Sequence, residues 1–243
     1  MRKIAVSLTK GGVGKTTTAV NLAAGLAMGE SRVLLIDTDT QGQASYMLGL
    51  RPKASLADLM TGEAKPEEAI VEARKGLWLL AGGAGLAGVK RQISHVSKGV
   101  HTLAKVLAPI EGMYDYVILD TSPGWDLMTI NVLFYVTEIL APVSLEVLTI
   151  KGLVDFDKRL AVIRRYRAIS IEYILPTFLD GRVRKSGEIL GQLQAHYGEK
   201  ICPPIRYNVR LSEAAGYGQT IYEYAPQSPG AEDYKTLTGR IAE

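Results

Sequence analysis

An apolar run, a glycine-rich turn and a helical stretch follow one another at the start of this chain, and that order constrains the fold more than any other feature. Ile4-Ala5-Val6-Ser7-Leu8 reads as a buried strand, and the stretch from Thr16 to Ala27 carries apolar residues at helical spacing. Between them lies Thr9-Lys10-Gly11-Gly12-Val13-Gly14-Lys15-Thr16-Thr17. Such a turn aims backbone N–H groups and a helix N-terminus at one point, which suits phosphate oxygens. Gly11, Gly12 and Gly14 keep Cβ atoms out of the way and allow positive φ. The turn closes as a phosphate loop does, G-x-x-x-x-G-K-[ST], with Lys15 for the phosphates and the Thr16 hydroxyl for Mg²⁺. Two residues depart from that pattern: Thr9 stands in place of the leading glycine, and Lys10 adds a second cation.

Acidic residues follow two further apolar runs. Arg32-Val33-Leu34-Leu35-Ile36 leads into Asp37-Thr38-Asp39, and Tyr116-Val117-Ile118-Leu119 leads into Asp120-Thr121-Ser122-Pro123-Gly124. One aspartate after a strand is an ordinary solvated turn. Two at one strand end, in register with a phosphate loop, and a third at another in order behind it, favour a functional reading over solvated turns.

The chain has 243 residues, of which 47% are hydrophobic, enough for one substantial core. Alternating strands and helices predict an α/β fold: a single doubly wound, mostly parallel sheet flanked by helices, in one domain over residues 1–243. No Pro/Ser-rich linker or repeat divides it. No signal-peptide pattern and no apolar stretch of transmembrane length stand out, so a cytoplasmic protein is expected. Cys202 is alone, which excludes an internal disulfide, and His95, His101 and His196 lack zinc-ligand spacing.

Lys10-Gly11-Gly12-Val13-Gly14-Lys15-Thr16-Thr17 resembles the deviant Walker A box of the ParA/MinD ATPases, whose extra lysine contacts phosphate across a dimer interface. Asp37-Thr38-Asp39-Thr40-Gln41-Gly42-Gln43 is similar to that family's D-x-D-P-Q-G-N, with Thr40 and Gln43 in place of Pro and Asn. Asp120-Thr121-Ser122-Pro123 resembles its D-[TC]-P-P, with Ser122 where Pro is usual. Ala141-Pro142-Val143-Ser144-Leu145-Glu146 onward, and Asn208-Val209-Arg210-Leu211-Ser212-Glu213-Ala214, resemble two later family segments. The match spans nearly the whole chain and is weakest from about Met47 to Leu107. Motifs that begin near Met1 point to the short, Soj-like ParA class.

The resemblance implies an ATPase that uses ATP and Mg²⁺, dimerises around the nucleotide and is slow without a partner. Lys10, Gly11, Gly12, Val13, Gly14, Lys15, Thr16 and Thr17 would bind the nucleotide, with Asn208 further along. Lys10, Lys15 and Asp39 would be catalytic, Asp39 by positioning the attacking water, and Thr16, Asp37 and Asp120 would serve the metal. Lys151 stands where the family pattern has Glu. It reads either as a cation at the nucleotide or dimer interface or as a solvated lysine at a helix start.

Partners are suggested by clustered charge, since the total of +3 is too small to argue nucleic-acid binding. Arg182, Arg184 and Lys185 follow one apolar run, Arg206 and Arg210 lie in a later loop, and Arg164, Arg165 and Arg167 crowd one helical stretch. The resemblance implies sequence-independent DNA contact at Arg182 and Arg210, hence a nucleoid-associated protein; ordinary solvated charge is the alternative. A ParB-like or other cargo adaptor would stimulate hydrolysis, the cargo being a plasmid, a chromosome or a protein body such as a carboxysome. A MinD-like membrane protein would need a basic amphipathic C-terminal helix. Here Tyr234, Leu237 and Ile241 form only a short stripe, expected to dock on the domain. A metabolic P-loop enzyme would need a second substrate pocket, which no motif supplies, and an iron–sulfur scaffold would need paired cysteines.

Overall fold

A computed structural model describes residues 1–96 and 99–243. Its strands are β1 (Arg2–Val6), β2 (Val33–Asp37), β3 (Ile70–Arg74), β4 (Leu77–Leu80), β5 (Tyr116–Asp120), β6 (Glu138–Ser144) and β7 (Ser170–Thr177). The helices are α1 (Lys15–Met28), α2 (Gln43–Met47), α3 (Leu56–Thr61), α4 (Pro66–Ala69), α5 (Leu86–Ser94) and α6 (Thr102–Leu107). They continue with α7 (Leu127–Tyr135), α8 (Val147–Ile163), α9 (Arg184–Tyr197), α10 (Val209–Gly216), α11 (Ile221–Tyr224) and α12 (Pro229–Ala242).

The strands form one sheet in the order β3-β4-β2-β5-β1-β6-β7. Pairing is parallel throughout, except for the β3–β4 hairpin at one edge. Apart from Arg2, Lys3 and Glu138 at their starts and Asp37, Asp120 and Ser144 at their ends, the central strands β1, β2, β5 and β6 are apolar because both faces are covered. Ala5, Leu34, Ile36, Val117, Leu119 and Ile139 point into one core, closed by α3 and α5 to α9. Ile4, Val6, Val33, Leu35, Ile118 and Leu140 point into the other, closed mainly by α1, α2, α11 and α12.

The C-terminal stripe docks as expected. Tyr234, Leu237 and Ile241 are buried, and the Tyr234 hydroxyl lies 3.2 Å from Thr18 Oγ1 on α1. The two helices approach so closely that a Cβ on Gly25 would sit 2.3 Å from Thr238 Oγ1, so only glycine fits without a shift. Among the described residues no helix is long and apolar enough to cross a membrane.

Two local expectations are refined. The first helix begins at Lys15 and ends at Met28, one residue beyond the sequence reading at each end. Asp37 and Asp120 are the last residues of their strands rather than the first residues of loops. Their side chains therefore have fixed positions at the sheet's carboxyl edge, where open α/β sheets place ligands.

Candidate active site

Strand register brings the motifs together. β2 and β5 pair with Asp37 opposite Asp120, and β1 lies on the other side of β5 with Val6 opposite Asp120. The glycine-rich loop therefore leaves β1 beside the two acids. Side chains staple these loop bases. The Thr38 hydroxyl donates to Asp120 O at 2.7 Å, the Thr121 hydroxyl to Val6 O at 3.0 Å and the Thr177 hydroxyl to Val13 O at 3.1 Å.

Within the loop, Gly12 and Gly14 adopt left-handed conformations, with φ of 71° and 85°. Gly11 does not: a Cβ there would meet Pro123 only at an ordinary 3.7 Å, so its conformational freedom is not what the loop uses. Gly14 is the N-cap of α1 and offers no side-chain cap, which leaves the first-turn N–H groups free for a ligand. Lys15 is 6% exposed and donates to Lys10 O at 2.8 Å. Burial lowers its pKa, while the charges of Asp120 and Asp39 pull the other way.

The acids differ in engagement. The sequence reading puts Asp37 in the metal shell, yet both its oxygens accept backbone amides, from Asp39 at 2.8 Å and Ala44 at 3.0 Å. It thereby builds the turn that carries Asp39. Burial raises its pKa to about 6 against those two hydrogen bonds. Asp120 is fully buried, and neither carboxylate oxygen has a hydrogen-bond partner. Burial and then the nearby Asp37 push its pKa well up, opposed by the neighbouring Thr16 hydroxyl and Lys15. An orphaned buried carboxylate beside a threonine hydroxyl fits a hard cation, so the residues suit Mg²⁺. Asp39 is partly exposed, and its Oδ1 accepts from Gln41 N at 3.1 Å.

Two cavities meet at the loop. One of about 570 Å³ is lined by Gly12, Lys15, Thr16, Asp39 and Ser122 among others. A second of about 580 Å³ is more apolar, with Tyr46, Tyr207, Asn208 and Leu211 in its wall. Phe178 lines both, its backbone held at φ 57°. Together they match a ligand with a charged and a flat, apolar end. Asn208 is the N-cap of α10: its Oδ1 accepts from Arg210 N at 2.9 Å, and its buried Nδ2 has no partner. Lys10 turns away from the loop. Its Nζ donates to Glu146 Oε2 at 2.9 Å and to Thr149 Oγ1 at 2.6 Å, at the start of α8.

A family described as an AAA domain matches residues 1–173. The chromosome-partitioning ATPase Soj of Thermus thermophilus is 38% identical over 99% of this chain and 95% of its own length. The chain belongs to the ParA/MinD ATPase superfamily. A solved cobyrinic acid a,c-diamide synthase of Mycobacterium smegmatis, with ADP and magnesium, is 27% identical with a TM-score of 0.86, covering 100% of this chain and 94% of its own. A variant of Cyanothece McdA, solved in complex with ATP, shares the fold at 22% identity and a TM-score of 0.88, over 100% of this chain and 96% of its own.

In this ParA/MinD relative the remaining candidates are dispersed. Lys151 is exposed on α8 and forms no ion pair among the described residues. Arg182 and Arg184 are highly exposed, their side chains 85% and 93% accessible; Arg182 donates to both oxygens of Asp180 at 2.9 and 2.8 Å, and Arg184 to Glu188 at 3.0 Å. Lys185 is exposed beside them, and Arg210 pairs with Glu213 at 2.8 Å. Arg206 differs from the other basic candidates, because its guanidinium is held by Asp233 at 2.6 Å and Glu232 at 2.7 Å and so braces α12. In the more polar cavity, Phe178, Lys90 and Asp126 escape the sequence reading, as Tyr46 and Tyr207 do in the apolar one. Asp126 has a local signal as the α7 N-cap, accepting from Thr129 N at 2.9 Å. Lys90 and Phe178 have none.

Proposed function

We propose that the chain, acting as a single ATPase domain, is a Mg²⁺-dependent ATPase that dimerises around ATP, binds DNA without reading its sequence, and positions cargo through an adaptor. The observation that carries this reading is the buried, orphaned Asp120 beside Lys15 and Thr16, two residues that line the more polar cavity, in a chain 38% identical to Soj. Asp120 and Thr16 would hold the metal ion, which would supply positive charge to offset that of the phosphates. Lys15 gives up the Lys10 carbonyl for phosphate oxygens, and the first-turn amides of α1 complete the cradle. The apolar cavity takes the base, with the Asn208 amide as a polar contact.

Asp39 orients the water that attacks the terminal phosphate. Lys10 leaves Glu146 and Thr149, a partly exposed arrangement that is easily broken, and reaches the nucleotide of a second copy. Arg182, Arg184, Lys185 and Arg210 then meet DNA phosphates, and the dimer doubles their number. A ParB-like or other adaptor completes the site and releases the dimer, so hydrolysis is slow without it. The protein would be cytoplasmic and ride the nucleoid.

Sedimentation of the Asp39→Ala protein with ATP tests the dimer step. An ATP-dependent dimer that disappears in Asp39→Ala/Lys10→Ala, with ATP binding kept, is expected. A dimer indifferent to Lys10 would overturn the assignment. ATP-dependent amide synthesis in place of a dimer would favour chemistry like that of the diamide synthase neighbour.

A further inference from the structure

α5 links the two loops that carry the acids. Just before it, Gly83 N donates to Asp39 O at 2.9 Å, and Gly82 packs so tightly that a Cβ would lie 2.6 Å from Asp39 O. On the same helix, Lys90 Nζ donates to Asp126 Oδ2, in the segment that leads from Asp120 into α7. The other Asp126 oxygen caps α7 through Thr129 N. Both Lys90 and Asp126 line the phosphate-side cavity, and the pair is partly exposed, at 22% and 35%.

A partly exposed ion pair is weakly held. A terminal phosphate carries more charge than one carboxylate and offers several acceptor oxygens, so it competes well for an ammonium within reach. Lys90 lies outside the phosphate-loop motif and is supplied by a different element from Lys10 and Lys15. We propose that Lys90 senses the terminal phosphate of a bound nucleoside triphosphate, exchanging Asp126 for it, and that Asp126 sets the threshold by competing for the lysine. This rests on the ATP-site reading above. The exchange would loosen α5 from the start of α7 only in the triphosphate state, and so report that state on the surface of both helices.

The test compares affinities for a nonhydrolysable ATP analogue and for ADP, each with Mg²⁺, by titration calorimetry. Wild-type binding of both comes first: absence of any nucleotide binding would refute the ATP-site reading itself. With that in hand, Lys90→Ala is expected to weaken the triphosphate about tenfold while ADP changes less than about twofold. Asp126→Asn keeps a good N-cap and frees Lys90, so it should raise the triphosphate-to-diphosphate preference about threefold or more. In Lys90→Ala/Asp126→Asn that gain should be lost, which separates a missing lysine from a bared carboxylate. Melting curves without nucleotide check that each variant is folded. Equal losses for both nucleotides, a preference unmoved by Asp126→Asn, or a double variant that keeps the gain would each overturn the proposal.

Discussion

Replacing Asp120 by Asn separates what the buried carboxylate does for the ligand from what it costs the fold. Neither oxygen has a hydrogen-bond partner, the side chain is solvent-free, and Asp37 lies directly opposite on the paired strand. A buried polar group left unpaired costs about 1–3 kcal/mol, and more when charged. Asparagine keeps the shape and is as unpaired as the carboxylate but carries no charge, so where Asp120 is ionised the nucleotide-free Asp120→Asn protein should be more stable by about 1–3 kcal/mol, the part of the cost that the charge adds. For a chain of this size each kcal/mol moves Tm by roughly 2–4 °C, giving a rise of about 2–12 °C. Ligand reverses the order. Wild type gains about 2.7 kcal/mol at a nucleotide concentration of about a hundred times Kd, whereas the variant has lost its cation ligand. Calorimetric melting in EDTA, and again with Mg²⁺ and a nonhydrolysable ATP analogue, should show the variant melting higher in the first and lower in the second. A variant that melts below wild type without ligand would refute the claim of an unsatisfied carboxylate. One that gains as much from nucleotide would refute its role at the metal.

Asp37 is raised from 3.8 to about 6, so between those values the folded protein holds more protons than the unfolded chain. Its contribution to nucleotide-free stability is present at the acid end and lost as pH rises through that window; Asp120 shifts the same way. Melting curves should show the advantage of Asp120→Asn shrinking as pH falls. Among the basic residues, Arg206→Ala should cost about 1–3 kcal/mol, because Asp233, only 10% exposed, loses the guanidinium and keeps only the amide of residue 206. Arg182→Ala and Arg210→Ala should leave melting unchanged yet weaken DNA binding and flatten its salt dependence, read by titration at several salt concentrations.

The parts of the site legible in sequence are those whose signal is local. β1, the glycine-rich loop and α1 are consecutive, and Asp37, Asp39 and Asp120 each follow an apolar run that could only be a buried strand. What sequence could not give is strand order, and with it the facing of Asp37 and Asp120. Nor could it show that Asp37 is tied up by Asp39 and Ala44 amides, or that Lys10 rests on Glu146, 136 residues away. The stretch from Met47 to Leu107 was least readable because its elements are short: α3, α4 and α6 are six residues or fewer, and the β3–β4 hairpin pairs two short strands. Lys90 sits there on a helix whose neighbours in sequence carry no motif. Arg206 looked like its basic neighbours because the acids that hold it lie on α12.

Binding of the purified protein to duplex DNA of unrelated sequence, with ATP, ADP or no nucleotide, tests the central claim most directly. With Asp39→Ala to hold the ATP state, binding should require ATP, weaken with salt and weaken further in Asp39→Ala/Arg210→Ala. A protein that dimerises with ATP and still ignores DNA at low salt would contradict it.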